Sequence, residues 1–383
     1  MRGGGGVTSL VVTFWVVVAL ASVAGGYQFA ALLACVRQWW RKPAAGGKPQ
    51  AVSILKPVRG LDPGFYAAIR SHATQEYGAP FEMLFGAADG EDPALGEVRR
   101  LQAEFPKLAI RIVPVEAAAP NAKVGVLIDL ARAARYPLLL VNDSDIVVPP
   151  GYLRQVTAPL EQESVGIVTA LYRARAASIP GWWEALGIAI DFAPSVLVAP
   201  LVGVKEFGLG ATLVFRAAQL EAIGGFRAIG DYLADDYQLA KRITQLGTQA
   251  WMSEVVVETN VGDTTWAGVW RHQVRWARTI RVSRGEGYLG LPVTQAGLWI
   301  LAALVTGSWS IALGLTIIRC VTALVAGAMV LRSPVASIGF WLAPLWDVWA
   351  FAVWLAGLMG SSVVWRDSIL RLSRDGKLLR QEP

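Results

Sequence analysis

Two aspartates stand one residue apart at the end of a buried-strand pattern, Leu138-Leu139-Leu140-Val141-Asn142-Asp143-Ser144-Asp145, followed by Ile146-Val147-Val148-Pro149-Pro150. Carboxylates at i and i+2 where a strand leaves its sheet can share Mg²⁺ or Mn²⁺ with diphosphate oxygens, because hard cations prefer oxygen ligands. Ligands of open α/β sheets bind at those strand ends. An isolated Asp-Ser-Asp is also an ordinary acidic turn, so the weight rests on its companions. Asp89 follows the strand-like Phe85-Gly86-Ala87-Ala88, and Asp235-Asp236 follows Tyr232-Leu233-Ala234. A carboxylate after an early strand suits a ribose or nucleobase, and one at a helix start can act as general base. Further on, Trp270-Arg271-His272-Gln273-Val274-Arg275-Trp276-Ala277-Arg278-Thr279 places Arg271, Arg275 and Arg278 on one helical face, with His272 beside Trp276. Such a cationic, aromatic face suits a departing diphosphate, and equally a solvated or headgroup-facing helix.

These residues need a scaffold, and composition says that part of it is in lipid. The 383 residues are 54% hydrophobic, with 16 Trp and a mean hydropathy of +0.44, too apolar for a purely soluble chain. The net charge of +6 comes from dispersed Lys and Arg with no basic block interleaved with aromatics, so nucleic acid is not an expected partner. Anionic headgroups and a phosphorylated substrate account for it better. Cys35 and Cys320 lie in apolar stretches without zinc spacing, and only His72 and His272 are present. A His-based metal site or a Ser-His-Asp triad has little to draw on.

The run from Gly3 to Val36 carries no charge and ends in Arg37-Gln38-Trp39-Trp40-Arg41-Lys42. It exceeds both the roughly 20 residues of a bilayer crossing and the core of a signal peptide. Arg37, Arg41 and Lys42 predict a cytoplasmic domain after it, with Trp39 and Trp40 at the interface. From residue 50 to 288 short strands alternate with amphipathic helices. The strands are expected at Ala51–Leu55, Glu82–Phe85, Ala109–Val113, Leu138–Val141 and Val165–Leu171, the helices at Gly64–Gln75, Pro93–Glu104 and Val124–Ala134. That alternation predicts an α/β, Rossmann-like, mostly parallel sheet. Within it, the Trp-rich stretch 180–204 is interrupted by Glu184, Asp191, Pro194 and Pro200 and is expected to lie on the bilayer surface. Membrane helices are expected within 289–364, at about 289–306, 311–331 and 338–364. A basic tail, 365–383, carries Arg366, Arg371, Arg374, Lys377 and Arg380. Three crossings would put that tail outside, whereas its charge prefers the cytoplasm. The last segment, with Pro344 and Asp347, is therefore the expected re-entrant one.

Taken in order, Asp89, Asn142-Asp143-Ser144-Asp145, Asp235-Asp236-Tyr237 and His272-Gln273-Val274-Arg275-Trp276 resemble the D, D-x-D, D, (Q/R)-x-x-R-W series of inverting GT-A-type glycosyltransferases. The resemblance is closest to ceramide glucosyltransferases and hopanoid-biosynthesis glycosyltransferases. It extends to Leu55-Lys56-Pro57-Val58-Arg59-Gly60-Leu61-Asp62-Pro63, which is similar to that group's L-K-P-x-x-G-x-D-P opening, to Asp92-Pro93-Ala94, and to Asn121-Ala122-Lys123. It implies a GT-A catalytic domain with N- and C-terminal transmembrane helices, 1–36 being the anchor. It implies that Asp89 contacts the uridine, Lys123 and Lys56 the nucleotide side, and Asp143 with Asp145 the metal and sugar nucleotide. Asp236, beside Asp235, would be the base, and Arg275 and Trp276 would engage diphosphate and acceptor. His272 departs from the family's Gln or Arg, keeping a hydrogen-bond donor with a different charge.

The expected activity is transfer of glucose or N-acetylglucosamine from a UDP-sugar to a hydroxyl of a ceramide- or hopanoid-type membrane lipid, with inversion and with Mg²⁺ or Mn²⁺. The expected location is a bacterial inner membrane, catalytic domain in the cytoplasm. A processive polysaccharide synthase shares the motifs but needs a helix-lined channel, for which about four hydrophobic segments are few. A non-catalytic membrane scaffold would be expected to lack one of the carboxylates, and none is missing.

Overall fold

A computed structural model of the chain describes residues 4–44, 46–365 and 368–379. The chain divides into two units. One gathers Met1–Trp40, Ser178–Val202 and Thr264–Val364; the other gathers Arg41–Ala177, Gly203–Asp263 and Trp365–Pro383.

The second unit is built on a seven-stranded sheet among its described residues: β1 Val52–Pro57, β2 Phe81–Gly86, β3 Ala109–Ile112, β4 Leu138–Val141, β5 Val165–Arg175, β6 Leu213–Arg216 and β7 Gln249–Asn260. Their order is β3-β2-β1-β4-β6-β5-β7. β1 to β4 pair in parallel, as does β5 with β7, whereas β6 runs antiparallel to both β4 and β5. The sheet is thus mixed and mostly parallel, and the antiparallel β6 and the long β7 were not among the expected strands. Strands buried on both faces read as continuous apolar runs. Alternate residues accordingly feed two cores. Ile54, Met83, Phe85, Leu138 and Leu140 pack with Phe65, Ile69, Val98 and Leu101 from helices Phe65–Ala73 and Ala94–Glu104. Leu55, Leu84, Leu139 and Val141 pack with Leu127, Leu130, Leu239 and Ile243 from helices Ala122–Ala133 and Asp235–Thr244. Each such side chain contributes roughly 1.5–3 kcal/mol by leaving water, which fixes where β1, β2 and β4 end and hence where their last polar residues emerge.

The basic tail is folded into this unit. Strands Ser368–Leu372 and Leu378–Leu379 pair antiparallel. Leu378 N–H donates to Asp231 O (2.7 Å) and Leu233 N–H to Gly376 O (3.4 Å), so the segment bearing Arg371, Arg374 and Lys377 braces the loop leading into Asp235. Arg366 and Arg380 lie outside the described residues.

The first unit is helical. Four of its helices are long and apolar enough to cross a membrane: Val11–Trp40, Ile179–Val202, Trp309–Val330 and Pro334–Leu358. One helix pair, Gly285–Thr294 and Ala296–Val305, is bent by 47°. Small residues let helices approach closely. A Cβ on Gly187 would stand 2.0 Å from the Trp346 ring, and one on Gly297 would stand 2.2 Å from Pro344 O. The last segment, expected to be re-entrant on account of Pro344 and Asp347, is long and apolar enough to cross. Pro344 occupies the first turn of helix Ala343–Leu358, where its missing N–H leaves nothing unpaired, and the bend lies instead just after Pro292.

The interruptions in Ile179–Val202 are absorbed by its surroundings. Pro194 cannot donate to Ile190 O four residues back. That carbonyl, in the π-helical turn Ile188–Phe192, accepts from Arg319 Nη1 (2.8 Å). Arg319, 2% exposed, also grips Asp347 through Nη2–Oδ1 (2.7 Å) and Nε–Oδ2 (3.0 Å), and Asp347 Oδ2 accepts from Gly297 N–H (2.8 Å). Asp191 accepts from Trp346 Nε1 (3.0 Å). One buried ionic network therefore ties helices distant in sequence.

Candidate active site

At the C-terminal ends of β1 and β4 the sequence motifs meet. Lys123 Nζ bridges Asp143 Oδ1 (2.8 Å) and Asp235 Oδ2 (3.2 Å). Its helix starts at Asn121, whose side chain caps the N–H groups of Lys123 and Val124 and donates to Tyr232 O (2.9 Å). That bond draws the loop before Asp235 toward Lys123. Asp236 Oδ2 accepts from Gly210 N–H (3.0 Å), and Asp143 N–H donates to Gly210 O (3.2 Å). A Cβ at Gly210 would lie 3.2 Å from Asp143 Oδ2 and 3.6 Å from Asp236 Oδ2, so the glycine spares both carboxylates a close side-chain neighbour. Lys56, fully buried on β1, donates to Asp143 O (3.0 Å). Asp62 of the opening loop accepts from Ser144 Oγ (2.7 Å), and Asp92 accepts from Gly60 N–H (2.8 and 3.0 Å). Beneath, Asn142 Nδ2 donates to His72 Nε2 (2.8 Å), whose Nδ1 bonds Ala68 O (2.9 Å).

The carboxylates differ in environment. Burial, then the neighbouring Asp235, pushes Asp236 up to about 6. Asp145 is raised by burial and by Asp143, against hydrogen bonds from Thr259 and Asn260. Burial pulls Lys56 down to about 7 despite Asp145 and Asp143. Burial also opposes the charge on Lys123, but Asp143 and Asp235 outweigh it and raise its pKa above the ordinary lysine value. A group poised near neutrality beside a fixed cation is what proton transfer next to an anionic substrate needs.

The donor set bears on a divalent cation. Asp143, its side chain 47% exposed, holds Lys123 with Oδ1; Asp145 has an oxygen committed to Thr259 and Asn260. Among the described residues no group of three or more His, Cys, Asp or Glu side chains forms a cage. These ligands fit a cation that takes most of its oxygens from a diphosphate and water, the usual Mg²⁺ arrangement.

In the helical unit, Trp266–Ser283 carries the His-x-x-Arg-Trp motif. His272 Nδ1 bonds the Glu184 carboxylate, which also accepts from Gln273 Nε2 (3.2 Å). The Trp276 ring lies 4.6 Å from the His272 ring and 5.8 Å from Phe192. Arg278 does not join the expected cationic face. Its Nε donates to Met359 O (3.2 Å) and Nη1 to Ser362 O, while Arg281 Nη2 donates to Gly360 O (2.6 Å), so both cap the carbonyl end of helix Ala343–Leu358.

The Glycosyl transferase family 21 model matches residues 13–378. The chain belongs to this family. Ceramide glucosyltransferase 1 of Caenorhabditis elegans is 31% identical over 230 residues, 59% of this chain and 49% of that protein. Ceramide glucosyltransferase 3 of the same organism is 27% identical over 207 residues, 53% of this chain and 44% of that protein. The chain spans about half the length of these curated relatives. A mannosyltransferase from Pyrobaculum calidifontis, solved in complex with GDP-Man and Mn²⁺, aligns with a TM-score of 0.54 at 19% identity, covering 90% of this chain and 97% of that one. The fold of this family 21 chain is GT-A.

Of the residues singled out from the family 21 motifs, Lys56, Lys123, Asp143, Asp235 and Asp236 converge. Asp145 adjoins them but is turned to Thr259 and Asn260. Asp89 stands on its own exposed turn after β2, accepting from Glu91 N–H (2.9 Å). Arg275, His272 and Trp276 share one helix of the other unit. Sequence reasoning missed Gly210, Thr259 and Glu184. Glu184 alone left a trace, a charge inside an apolar Trp-rich run, which in such a setting calls for a partner.

Proposed function

We propose that this family 21 protein transfers a hexose, glucose or N-acetylglucosamine, from a UDP-sugar to a hydroxyl of a ceramide- or hopanoid-type membrane lipid, inverting the anomeric centre. The observation that carries the reading is the bridging of Asp143 and Asp235 by Lys123 beside Asp236, whose carboxyl burial raises to about 6. Asp236 takes the proton of the lipid hydroxyl as its oxygen bonds to the sugar C1. The bond from C1 to the diphosphate oxygen breaks, and UDP departs with the electron pair. One displacement with one base inverts the centre. Lys123 and Asp143 hold the nucleotide side, Asp89 the uridine, and Arg275 and Trp276 the diphosphate and acceptor. Bound Mg²⁺ or Mn²⁺ at Asp143 and Asp145 would offset charge on the leaving UDP.

The test uses membranes containing the protein, radiolabelled UDP-glucose or UDP-N-acetylglucosamine, and candidate lipids, read by thin-layer chromatography. A labelled lipid of inverted configuration is expected. Chelator should remove at least about 90% of transfer and Mn²⁺ or Mg²⁺ should restore it, while Asp145→Ala should lose the metal dependence with the activity. Undiminished transfer in chelator would sink the metal assignment, and label appearing only in a water-soluble polymer would favour a synthase.

The location proposed is a bacterial inner membrane with the sheet unit in the cytoplasm. Strands β5 and β6 flank Ile179–Val202 and pair with each other, so that segment must return to the side it left. Leu378 bonds Asp231, so the chain between Asp263 and the tail must also make an even number of crossings. Crossings at Trp309–Val330 and Pro334–Leu358, with Gly285–Val305 bent back, satisfy this and let the basic tail follow the positive-inside rule. Single cysteines placed in the sheet unit and in the tail should both resist an impermeant thiol reagent in intact cells and react after lysis. Labelling of one but not the other in intact cells would refute this topology.

A further inference from the structure

Glu184 is 3% exposed in a helix otherwise composed of Ile179, Pro180, Gly181, Trp182, Trp183, Ala185, Leu186 and Gly187. A carboxylate in such a setting is costly unless paired. The helix cannot rotate to release it. Ser178 caps its start, Trp183 packs at 5.2 Å from the Trp346 ring and 6.3 Å from the Trp349 ring, and Gly187 lies against Trp346. The carboxylate faces His272 Nδ1 and Gln273 Nε2. A carboxylate oxygen only accepts, so Nδ1 must carry the proton. His272 is itself sandwiched edge-on against Trp276, which Phe192 backs. Its side chain is 32% exposed, and with Nδ1 on Glu184, Nε2 is the nitrogen left to meet a ligand. A carboxylate behind an imidazole sets its tautomer and aims the far nitrogen.

We infer that Glu184 is a positioning residue for glycosyl transfer: it fixes His272 as the Nδ1–H tautomer and presents the unprotonated Nε2 to the acceptor hydroxyl, whose O–H donates to it. The kinetic half of this inference rests on the proposed activity; the tautomer half does not.

Because the chain has two histidines, ¹⁵N-histidine labelling of the full protein in detergent gives two ring systems, with His72, bonded to Ala68 O, as internal control. At a pH where both rings are neutral, His272 should be Nδ1–H in the wild type and in Glu184→Gln, whose amide oxygen still accepts. It should become Nε2–H in Glu184→Ala, with His72 unchanged. In the transfer assay Glu184→Ala should lower kcat by about 10–100-fold with little change in KM for the sugar nucleotide. Glu184→Gln should retain most of the rate. In a His272→Gln background, Glu184→Ala should cost less than about 3-fold, since no ring remains to be aimed. A wild-type His272 in the Nε2–H form, a tautomer indifferent to Glu184→Ala, or equal losses from Glu184→Ala in both backgrounds would overturn the inference. Absence of any transfer by the wild type would refute the proposed activity, while the tautomer measurement still decides whether Glu184 positions His272.

Discussion

Replacing Asp236 with Asn should lower kcat for lipid glycosylation by about 10²–10⁴-fold, the usual contribution of a positioned general base. The variant should stay folded, because Asn keeps an oxygen for the Gly210 N–H that Asp236 now accepts. The wild-type pH profile should carry the same signature. With Asp236 raised to about 6 by burial and by Asp235, the carboxylate form dominates above that pH and the protonated form below. A base must be deprotonated to act, so kcat should be level above about pH 7 and fall about tenfold per unit well below 6. In Asp236→Asn this limb should vanish from the residual rate. A variant retaining full activity, or a wild-type rate that climbs as pH drops below 6, would remove Asp236 from the role of base. Comparing kcat with UDP-sugar affinity by calorimetry separates the base from a purely binding carboxylate, since only the latter would change affinity in proportion.

Arg319→Leu should destabilise the helical unit by about 3–5 kcal/mol, the cost typical of leaving one member of a buried ion pair alone. Asp347 would lose its bidentate partner while still accepting from Gly297 N–H, and Ile190 O would lose the hydrogen bond from Arg319 Nη1. Asp347→Leu should cost a similar amount for the mirrored reason. The double variant, which removes both charges, should lose less than the sum of the two. Thermal unfolding in detergent, monitored by tryptophan fluorescence, measures all three. Additive losses, or a single-variant shift no larger than that of an exposed substitution, would show that the network does not hold these helices.

Much of the sheet and of the carboxylate cluster was legible because local pattern decides them. The run Leu138–Val141 is apolar at every position and Ala51–Leu55 at all but Ser53, the pattern of a strand covered on both faces. Asp143 then necessarily leaves the sheet at the end of β4, whereas the helix expected from Val124 starts two residues earlier, at Ala122, because the Asn121 side chain caps it. The order of Asp89, Asp143, Asp145 and Asp236 was enough to anticipate the family. Chain order could not say that Asp145 turns to Thr259 while Asp143 takes Lys123, because Thr259 arrives on β7, which enters the sheet through pairing with β5. Likewise β6, four residues long, became a strand only because β4 and β5 offered it two edges. Helical spacing put Arg278 beside Arg275, but the carbonyls at the end of Ala343–Leu358 claimed it.

Sequence by itself determined the apolar spans, the parallel β1 to β4 core, the acidic strand ends and the family motifs, since each is set by side-chain period or by neighbours within a few residues. Tertiary structure alone decided which carboxylate meets which cation, that Arg319 reaches the Ile190 carbonyl, that the basic tail braces the loop before Asp235, and that Glu184 meets His272 across 88 residues of chain. Those contacts depend on charges finding partners where burial makes solitude costly, and that choice is made only once distant segments have packed.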